Sequence, residues 1–249
     1  LGRRLRSCAG GIGRQRPAIE ITAARPAVAM DLARQRLRHH VPARHAARGM
    51  AALVGRSSRR RADLHRLAAN RVVYHNGALN PNAQFPAEVT VDQVIKATMV
   101  ADPLTVLDSS PVSDGAACVI LASMDVARKA GHPVIKVLST GAATDTLALH
   151  ARQDITRLEA VQRSAEAAYK MAGLRPSDIS LCEVHDCFSI AEICIIEELG
   201  FCERGKGGSF TQQGHTALTG KIPVNTSGGL KSKGHPVGAT GVAQVVEVV

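Results

Sequence analysis

The sequence predicts an α/β fold, because strand-like runs are followed by a turn and then by a helix more than once along the chain. The run Ile179–Val184 leads into the turn His185-Asp186-Cys187-Phe188, and a capping-box pattern over Ser189–Glu192 predicts that a helix begins at residue 189. The run Ile222–Val224 leads into a loop with five glycines, Asn225–Gly241, and a valine-rich helix follows.

Weaker patterns predict the remaining elements. Residues 158–172 carry apolar or small side chains at helical spacing, and Gly173 is placed to end that helix. The apolar run Ala116–Ala122 has the length of a buried strand, which would also bury Cys118. Further predicted helices are 30–39, 62–71, 91–99 and 124–130, and a further predicted strand is 135–138.

The positive charge of the chain is concentrated in its first part. The net charge is +10, yet residues 1–75 hold 17 Arg, no Lys and three acidic residues, a net charge of +14, so residues 76–249 are mildly acidic. Three interpretations of this arm are open: a surface for nucleic acid or another polyanion, an organelle transit peptide, or a segment produced by a wrong start or a shifted reading frame. The change in composition favours the third, so no nucleic-acid partner is expected.

Cysteine spacing and hydropathy indicate the cellular location in which the chain is expected. Six Cys without any CxxC spacing argue against a zinc ribbon and a disulfide scaffold, and they favour a reducing, cytoplasmic location. No apolar run reaches the length of a membrane span, so no membrane association is expected. Aromatic residues are only 2%, so the core has to be aliphatic.

Three side chains in the two turns are candidates for chemistry. Cys187 lies two residues before the predicted start of a helix, where the helix dipole favours a thiolate, although a buried packing role is an equal alternative. His235 lies between Gly234 and Pro236 in the glycine loop, where a ligand can approach the backbone closely. The loop fails the phosphate-binding Walker pattern, and no spacing of His and Cys predicts a metal site.

These motifs together resemble the thiolase superfamily, most closely its sterol-carrier-protein type. The resemblance runs from about Tyr74 to the end of the chain and covers several motifs in order. They are His75-Asn76-Gly77, Asn80–Phe85, Ser110–Ala117, His185–Phe188, Asn225–Gly229 and Ser232–Gly241.

The resemblance implies a layered α/β sandwich fold, a homodimer, and acyl-coenzyme A as substrate without a separate cofactor or metal. It implies that His235 activates a nucleophilic Cys, that His185 and His235 bind the thioester oxygen, and that Cys187 is the acid/base that moves the substrate proton. Phe188 would line the acyl pocket, and Ser110 would contact the pantetheine arm.

The sequence departs from that family in its first half. The family's nucleophilic Cys is not recognisable, since Cys8 lies too close to the Asn76 loop and Cys118 lies in a predicted buried strand. We therefore expect a chain truncated at both ends. The expected organisation is an Arg-rich segment (1–70), a remnant of the thiolase amino-terminal half (71–131) and an incomplete carboxy-terminal-half-like domain (132–249).

Three functions remain open at this point. The first is 3-ketoacyl-coenzyme A thiolysis or Claisen condensation in lipid or sterol metabolism, impaired here by the absent nucleophile. The second is retro-aldol cleavage of steroid side-chain thioesters together with a small partner protein, which needs acid–base groups only. The third is binding of acyl-coenzyme A or lipid without catalysis.

Overall fold

The computed structural model describes residues 19–22 and 59–249. The strands are β1 (Ile19–Thr22), β2 (Met99–Ala101), β3 (Leu104–Thr105), β4 (Ile120–Ser123) and β5 (Ile135–Val137). The helices are α1 (Arg59–Ala78), α2 (Val91–Lys96), α3 (Met124–Lys129), α4 (Glu159–Ala172), α5 (Ser189–Glu198), α6 (Gly207–Gln212), α7 (Gly229–Ser232) and α8 (Thr240–Val248). The helix predicted over 30–39 and the candidate Cys8 lie outside the described residues.

Strand β1 is the central strand of a three-stranded sheet, with β4 and β5 both antiparallel to it. The prediction of a buried strand over Ala116–Ala122 is wrong in two respects. The strand is shorter and later, and its Ile120 and Leu121 are 53% and 58% exposed, while Cys118 is also exposed. Apolar composition indicates that burial of a segment is favourable, but it does not reveal whether another element of the fold packs against that segment.

Helix α1 is the centre of the helical layer and packs against α5, α6 and α7. Its buried face repeats at helical spacing and mixes apolar with polar side chains: Arg66, Leu67, Ala69, Asn70, Val73 and Tyr74. The close approach to α6 requires a glycine, because a Cβ added at Gly208 would lie 2.0 Å from Cγ of His65. Helix α1 runs through position 70, so the expected domain boundary there stays a prediction.

Two of the predicted strands are present as neighbouring parallel segments joined by one bridge, between Cys182 and Val224. The amide of Cys182 donates to the carbonyl of Pro223 (2.9 Å), and the amide of Asn225 donates to the carbonyl of Cys182 (2.8 Å). Pro223 has no N–H of its own, which limits the ladder at this point. The side chains around this bridge form a core cluster of Val184, Ile196, Phe201, Ile222 and Val224.

The helices on either side of this cluster begin and end close to the predicted residues. Helix α4 ends at Gly173, whose φ of 69° is the left-handed conformation that closes many helices. Helix α5 begins at Ser189 as predicted, but the capping box is wrong, since the cap residue is Phe188 and makes no side-chain cap bond. The Ser189 hydroxyl donates instead to Oδ1 of Asn70 (2.7 Å), so tertiary bonding replaced the local cap.

Candidate active site

The two histidines of the sequence motifs lie against each other. The ring centroids of His185 and His235 are 4.9 Å apart, and the ring planes meet at 85°. This contact follows from the parallel bridge, because each histidine comes after one of the two bridged segments and both turns leave at the same end. Residues 50 positions apart in the chain thus share one surface.

The ring of His235 is oriented by Thr240, the first residue of α8. Its Nδ1 lies 2.7 Å from the Thr240 hydroxyl, and that hydroxyl donates to the carbonyl of Pro236 (3.0 Å). Because a hydroxyl has one hydrogen, the oxygen of Thr240 accepts from Nδ1–H, and this tautomer leaves Nε2 as an acceptor. The backbone amide of His235 donates to the Ser113 hydroxyl (2.7 Å), which fixes the loop as well as the ring.

Both imidazoles are neutral at physiological pH. Burial, followed by the neighbouring His185 and Lys233, lowers the pKa of His235 to about 4. Burial also lowers the pKa of His185 from its ordinary value, although its side chain reaches the surface. The pair therefore offers a proton acceptor at Nε2 of His235 rather than two imidazolium donors.

Cys187 is half-buried beside the core cluster of Leu104, Phe188 and Ala191. Burial and the adjacent Asp186 raise the pKa of its thiol to about 11, against smaller opposing effects of backbone N–H groups and Lys231. Of the two alternatives that the sequence left open for Cys187, burial therefore dominates, because the desolvation of the sulfur outweighs the effect of the helix start on its pKa. At neutral pH Cys187 is a thiol that can donate a proton.

The two predicted substrate-contacting residues lie next to this turn. Phe188 is 7% exposed in the cluster with Leu104, and Ser109 forms an antiparallel bridge with Phe188. The amide of Ser110 donates to the carbonyl of Cys187 (2.9 Å). Since Ser113 binds the amide of His235, residues 109–113 contact both motifs at once.

An open cleft of about 400 Å³ lies beside Pro236, the residue that follows His235. One side is formed by Ser113–Ala117 and the other by Pro236–Ala239 with Val242. A Cβ added at Gly115 would lie 2.9 Å from Cγ of Pro236, so the two sides already touch at one point.

Asn225 holds the two bridged segments together, although sequence reasoning had not singled it out. Its Oδ1 accepts from the amide of Val184 (2.8 Å), and its Nδ2 donates to Oε2 of Glu192 (2.9 Å). Its backbone carbonyl accepts from Nδ2 of Asn76 (3.0 Å), and its φ is 52°. Asn tolerates this left-handed conformation better than most residues, which was the available signal in the sequence.

A group of ionisable side chains is buried around Ser189 at the start of α5. Asp108, Asp186 and Glu192 are each 0% exposed, and the cations Arg66 and Lys231 are 4% and 1% exposed. Arg66 pairs with Asp108, while Nζ of Lys231 donates to Oδ1 of Asn70 (2.9 Å) and to the Ser189 hydroxyl (3.1 Å). Burial raises the pKa of Asp186 to about 6 and that of Glu192 to about 8, and Lys231 opposes both shifts.

Neither metal ligation nor a membrane span was found among the residues that the structure describes. Over 19–22 and 59–249, no group of three or more His, Cys, Asp or Glu side chains is arranged to hold a metal ion. In the same residues, no helix is long and apolar enough to cross a bilayer.

Comparison with known proteins identifies the family. Residues 141–249, which include both histidines and Cys187, match the model of the thiolase C-terminal domain-like family. Residues 141–249 belong to the thiolase C-terminal domain-like family. The resemblance found in the motifs is thereby confirmed, and so is the thiolase-like α/β fold class.

Two curated relatives extend this thiolase similarity upstream. An acetyl-CoA acetyltransferase of Methanothermobacter thermautotrophicus is 55% identical over 184 residues, which is 74% of this chain and 48% of the relative. Sterol carrier protein 2 of Oryctolagus cuniculus is 43% identical over 174 residues, which is 68% of this chain and 32% of the relative. The chain thus spans about half the length of the first relative and a third of the second.

Solved thiolase-like structures share the fold. The Ltp2-ChsH2(DUF35) aldolase superimposes with a TM-score of 0.69 at 29% identity, covering 84% of this chain and 54% of that one. A monomeric SCP2-thiolase-like protein of Mycobacterium smegmatis superimposes with a TM-score of 0.61 at 20% identity, covering 83% of this chain and 45% of that one. The second likeness concerns the fold alone.

Proposed function

We propose that this chain carries the acid–base part of an acyl-coenzyme A site of the thiolase type. The observation that carries the proposal is the contact between His185 and His235, with Nδ1 of His235 bonded to Thr240 so that Nε2 is left to accept a proton. Cys187 follows His185 by two residues and is a thiol at neutral pH. The substrate of the proposed site is an acyl-coenzyme A thioester.

The protonation states of Cys187 and His235 in the free site favour cleavage of a carbon–carbon bond over condensation as the direction of the reaction. When a 3-ketoacyl or 3-hydroxyacyl thioester is split, the electrons of the broken bond remain on the α-carbon of the departing thioester. A thiol donor at Cys187 supplies the proton for that carbon. The thiolate that remains regains a proton from the 3-hydroxyl group in retro-aldol cleavage, or from the thiol of coenzyme A in thiolysis. The resemblance assigns the thioester oxygen to His185 and His235, and His235 becomes a donor there once Nε2 has gained a proton.

Thiolysis further needs a nucleophile that takes the acyl group. The candidate Cys8 lies outside the described residues, and the exposed Cys118 lies in the segment before β4 rather than at a helix start. We therefore expect little thiolysis from this chain alone, and we expect the proton-transfer part of the reaction to persist. The two parts can be measured separately.

The direct test is exchange of the α-hydrogens of acetyl-coenzyme A with D₂O between pH 7 and 10, followed by mass spectrometry, since this requires an acid/base and no nucleophile. Because Cys187 can remove an α-hydrogen only as a thiolate, the enzymatic exchange rate should rise with pH across this range. Exchange should exceed the buffer rate, and it should fall at least 10-fold in Cys187→Ala and His235→Ala. Cys118→Ala is the matched control and should exchange at the wild-type rate. Exchange at the buffer rate in the wild-type chain, or equal exchange in Cys187→Ala, would contradict the proposal.

Retro-aldol cleavage is the second candidate, favoured by the similarity to the Ltp2-ChsH2(DUF35) aldolase. This reaction splits a 3-hydroxyacyl thioester into a carbonyl compound and a shorter thioester without a covalent intermediate, so the chain's acid–base groups suffice. Release of aldehyde or ketone without consumption of free coenzyme A distinguishes it from thiolysis. Binding without catalysis is left if acyl-coenzyme A binds saturably and neither reaction nor exchange is seen.

Partners and location are extensions of this proposal. The aldolase neighbour is named with a DUF35 component, which supports a small partner protein as an accessory to this chain. A homodimer and a cytoplasmic location remain predictions from the resemblance and the cysteine pattern. Size-exclusion chromatography with light scattering, with and without a candidate partner, tests both the homodimer and the binding of a small partner protein.

A further inference from the structure

The carboxylate of Asp186 connects the two catalytic motifs, although neither the resemblance nor the spacing assigned it a role. Asp186 is 0% exposed and sits between His185 and Cys187 in the chain. Its Oδ1 accepts from the amide of Leu230 in α7 at 2.7 Å. Helix α7 opens the loop that carries His235, so this bond joins the first motif directly to the second.

The fit of the carboxylate against α7 depends on a missing side chain. A Cβ added at Gly229 would lie 2.4 Å from Oδ2 of Asp186, and Gly229 has a φ of 56°. Only glycine allows the carboxylate to lie this close to the backbone of α7 at that conformation. The second motif is thus shaped to receive Asp186.

Lys231 supplies the opposite charge from the same helix. Its side chain is the largest among the fully buried ones described, and its Nζ donates to Asn70 of α1 and Ser189 of α5. Two of its three protons are therefore bonded to neutral oxygens, which leaves its charge available to the buried carboxylates around it. The charged and titratable groups around Asp186 are Lys231 on α7, Glu183 on its own segment, Glu192 on α5, Tyr74 on α1, and Cys187.

We propose that Asp186 and Lys231 are positioning residues of this site: the Asp186 carboxylate fastens the His185–Phe188 turn to α7, and Lys231, bonded to Ser189 directly after that turn, balances its charge. The anchoring bond fixes His185 relative to His235. The two charges act on the thiol in opposite senses, since an anion beside a thiol disfavours the thiolate and a cation favours it. This inference rests on the proposed function for its catalytic meaning, but not for its geometry.

The charge part is tested by alkylation of Cys187 with iodoacetamide at pH 8, followed at the level of the peptide by mass spectrometry. Asp186→Asn keeps the size and an acceptor oxygen but removes the anion, so the alkylation rate should rise at least 3-fold. Lys231→Met removes the cation, so the rate should fall at least 3-fold. Asp178→Asn, the same exchange at an exposed acid, is the matched control and should leave the rate unchanged.

Loosening of the structure would make Cys187 more accessible and raise the rate in both variants. Equal changes in the same direction, or no change in either, would therefore overturn the proposal. This measurement needs no turnover, so it stays informative even if the chain proves inactive. Thermal unfolding of each variant shows that the folded protein is being compared.

The anchoring part is tested by α-hydrogen exchange with acetyl-coenzyme A. Asp186→Ala loses the bond to the Leu230 amide and should lower the exchange rate at least 10-fold with a smaller change in the substrate concentration at half-maximal rate. Asp186→Asn retains an acceptor for that amide and should recover at least 3-fold over the alanine variant. An asparagine variant as slow as the alanine variant would overturn the anchoring role; wild-type exchange at the buffer rate would instead contradict the proposed function.

Discussion

The imidazole rings of His185 and His235 meet edge to face, with centroids 4.9 Å apart and an interplanar angle of 85°. In such an arrangement the edge of one ring points at the face of the other, which is favourable for neutral rings and unfavourable for two imidazolium ions. The geometry therefore agrees with the lowered pKa values of both side chains.

The titration of His235 provides the first prediction. Its pKa of about 4 lies below the ordinary value of 6.5, so the folded chain binds this proton less readily than the unfolded chain does. The contribution of His235 to stability is fully present above pH 6.5 and is lost as the pH falls toward 4. The C2–H resonance of His235, assigned by its loss in His235→Asn, should titrate near pH 4; a midpoint at or above 6.5 would show that the ring is not desolvated.

Substitution of Gly229 provides the second prediction. Gly229→Ala places a methyl group 2.4 Å from Oδ2 of Asp186 at a φ of 56°, so we expect a loss of about 2–4 kcal/mol in the free energy of unfolding. Gly238→Ala is the matched control, because a Cβ at Gly238 meets no atom within 4 Å and its φ is not left-handed. Urea denaturation measures both, and equal stability of the two variants would contradict the close fit of Asp186.

The third prediction concerns the side chain of Asn225. Asn225→Ala leaves the buried amide of Val184 and a carboxyl oxygen of Glu192 without their partner, and it puts alanine at a positive φ. We expect a loss of about 2–4 kcal/mol in the free energy of unfolding. The exposed Asn82→Ala should change it by less than about 0.5 kcal/mol. Differential scanning calorimetry compares them, and a small effect at Asn225 would mean that the bridged segments hold without it.

The pH dependence of stability provides the fourth prediction, through Glu192. Burial raises its pKa to about 8, above the ordinary value of 4.5, so the folded chain retains this proton more strongly. The resulting stability is fully present below pH 4.5 and is lost as the pH rises toward 8. Glu192→Gln keeps an acceptor for Nδ2 of Asn225 and cannot ionise, so it should be more stable than wild type at pH 8 by more than about 1 kcal/mol. A parallel pH dependence of both proteins would show that Glu192 is ionised throughout.

The sequence was sufficient for the turns that carry His185, Cys187 and His235, because local signals mark a turn: a change from strand-like to helical spacing, a proline and a cluster of glycines. The ends of α4 and the start of α5 were predictable for the same reason. Local signals also place a residue near the start of a helix, but they say nothing about desolvation. The sequence therefore left a thiolate and a buried thiol at Cys187 as equal alternatives, and only the tertiary structure shows that burial raises the pKa of this thiol.

The buried polar residues were beyond the reach of sequence reasoning. Lys and Glu are residue types that usually lie on the surface, and only the tertiary structure shows that Lys231 and Glu192 are both 1% exposed or less. The opposite error occurred at Ile120 and Leu121, whose apolar run predicted burial and whose side chains are more than half exposed. In each case the pattern along the chain was clear, but the neighbours in space decided the environment.

The single bridge between Cys182 and Val224 has a consequence for how this region tolerates change. Residues 183–223 connect the two bridged residues, so the two ends of this segment are fixed side by side while the part between them carries α5 and α6. Insertions at the exposed turn around Glu203–Gly205 would lengthen that segment without separating its ends. Homologous chains can therefore differ in length here and can change the surface that α5 and α6 contact, while the distance between the two imidazoles stays the same.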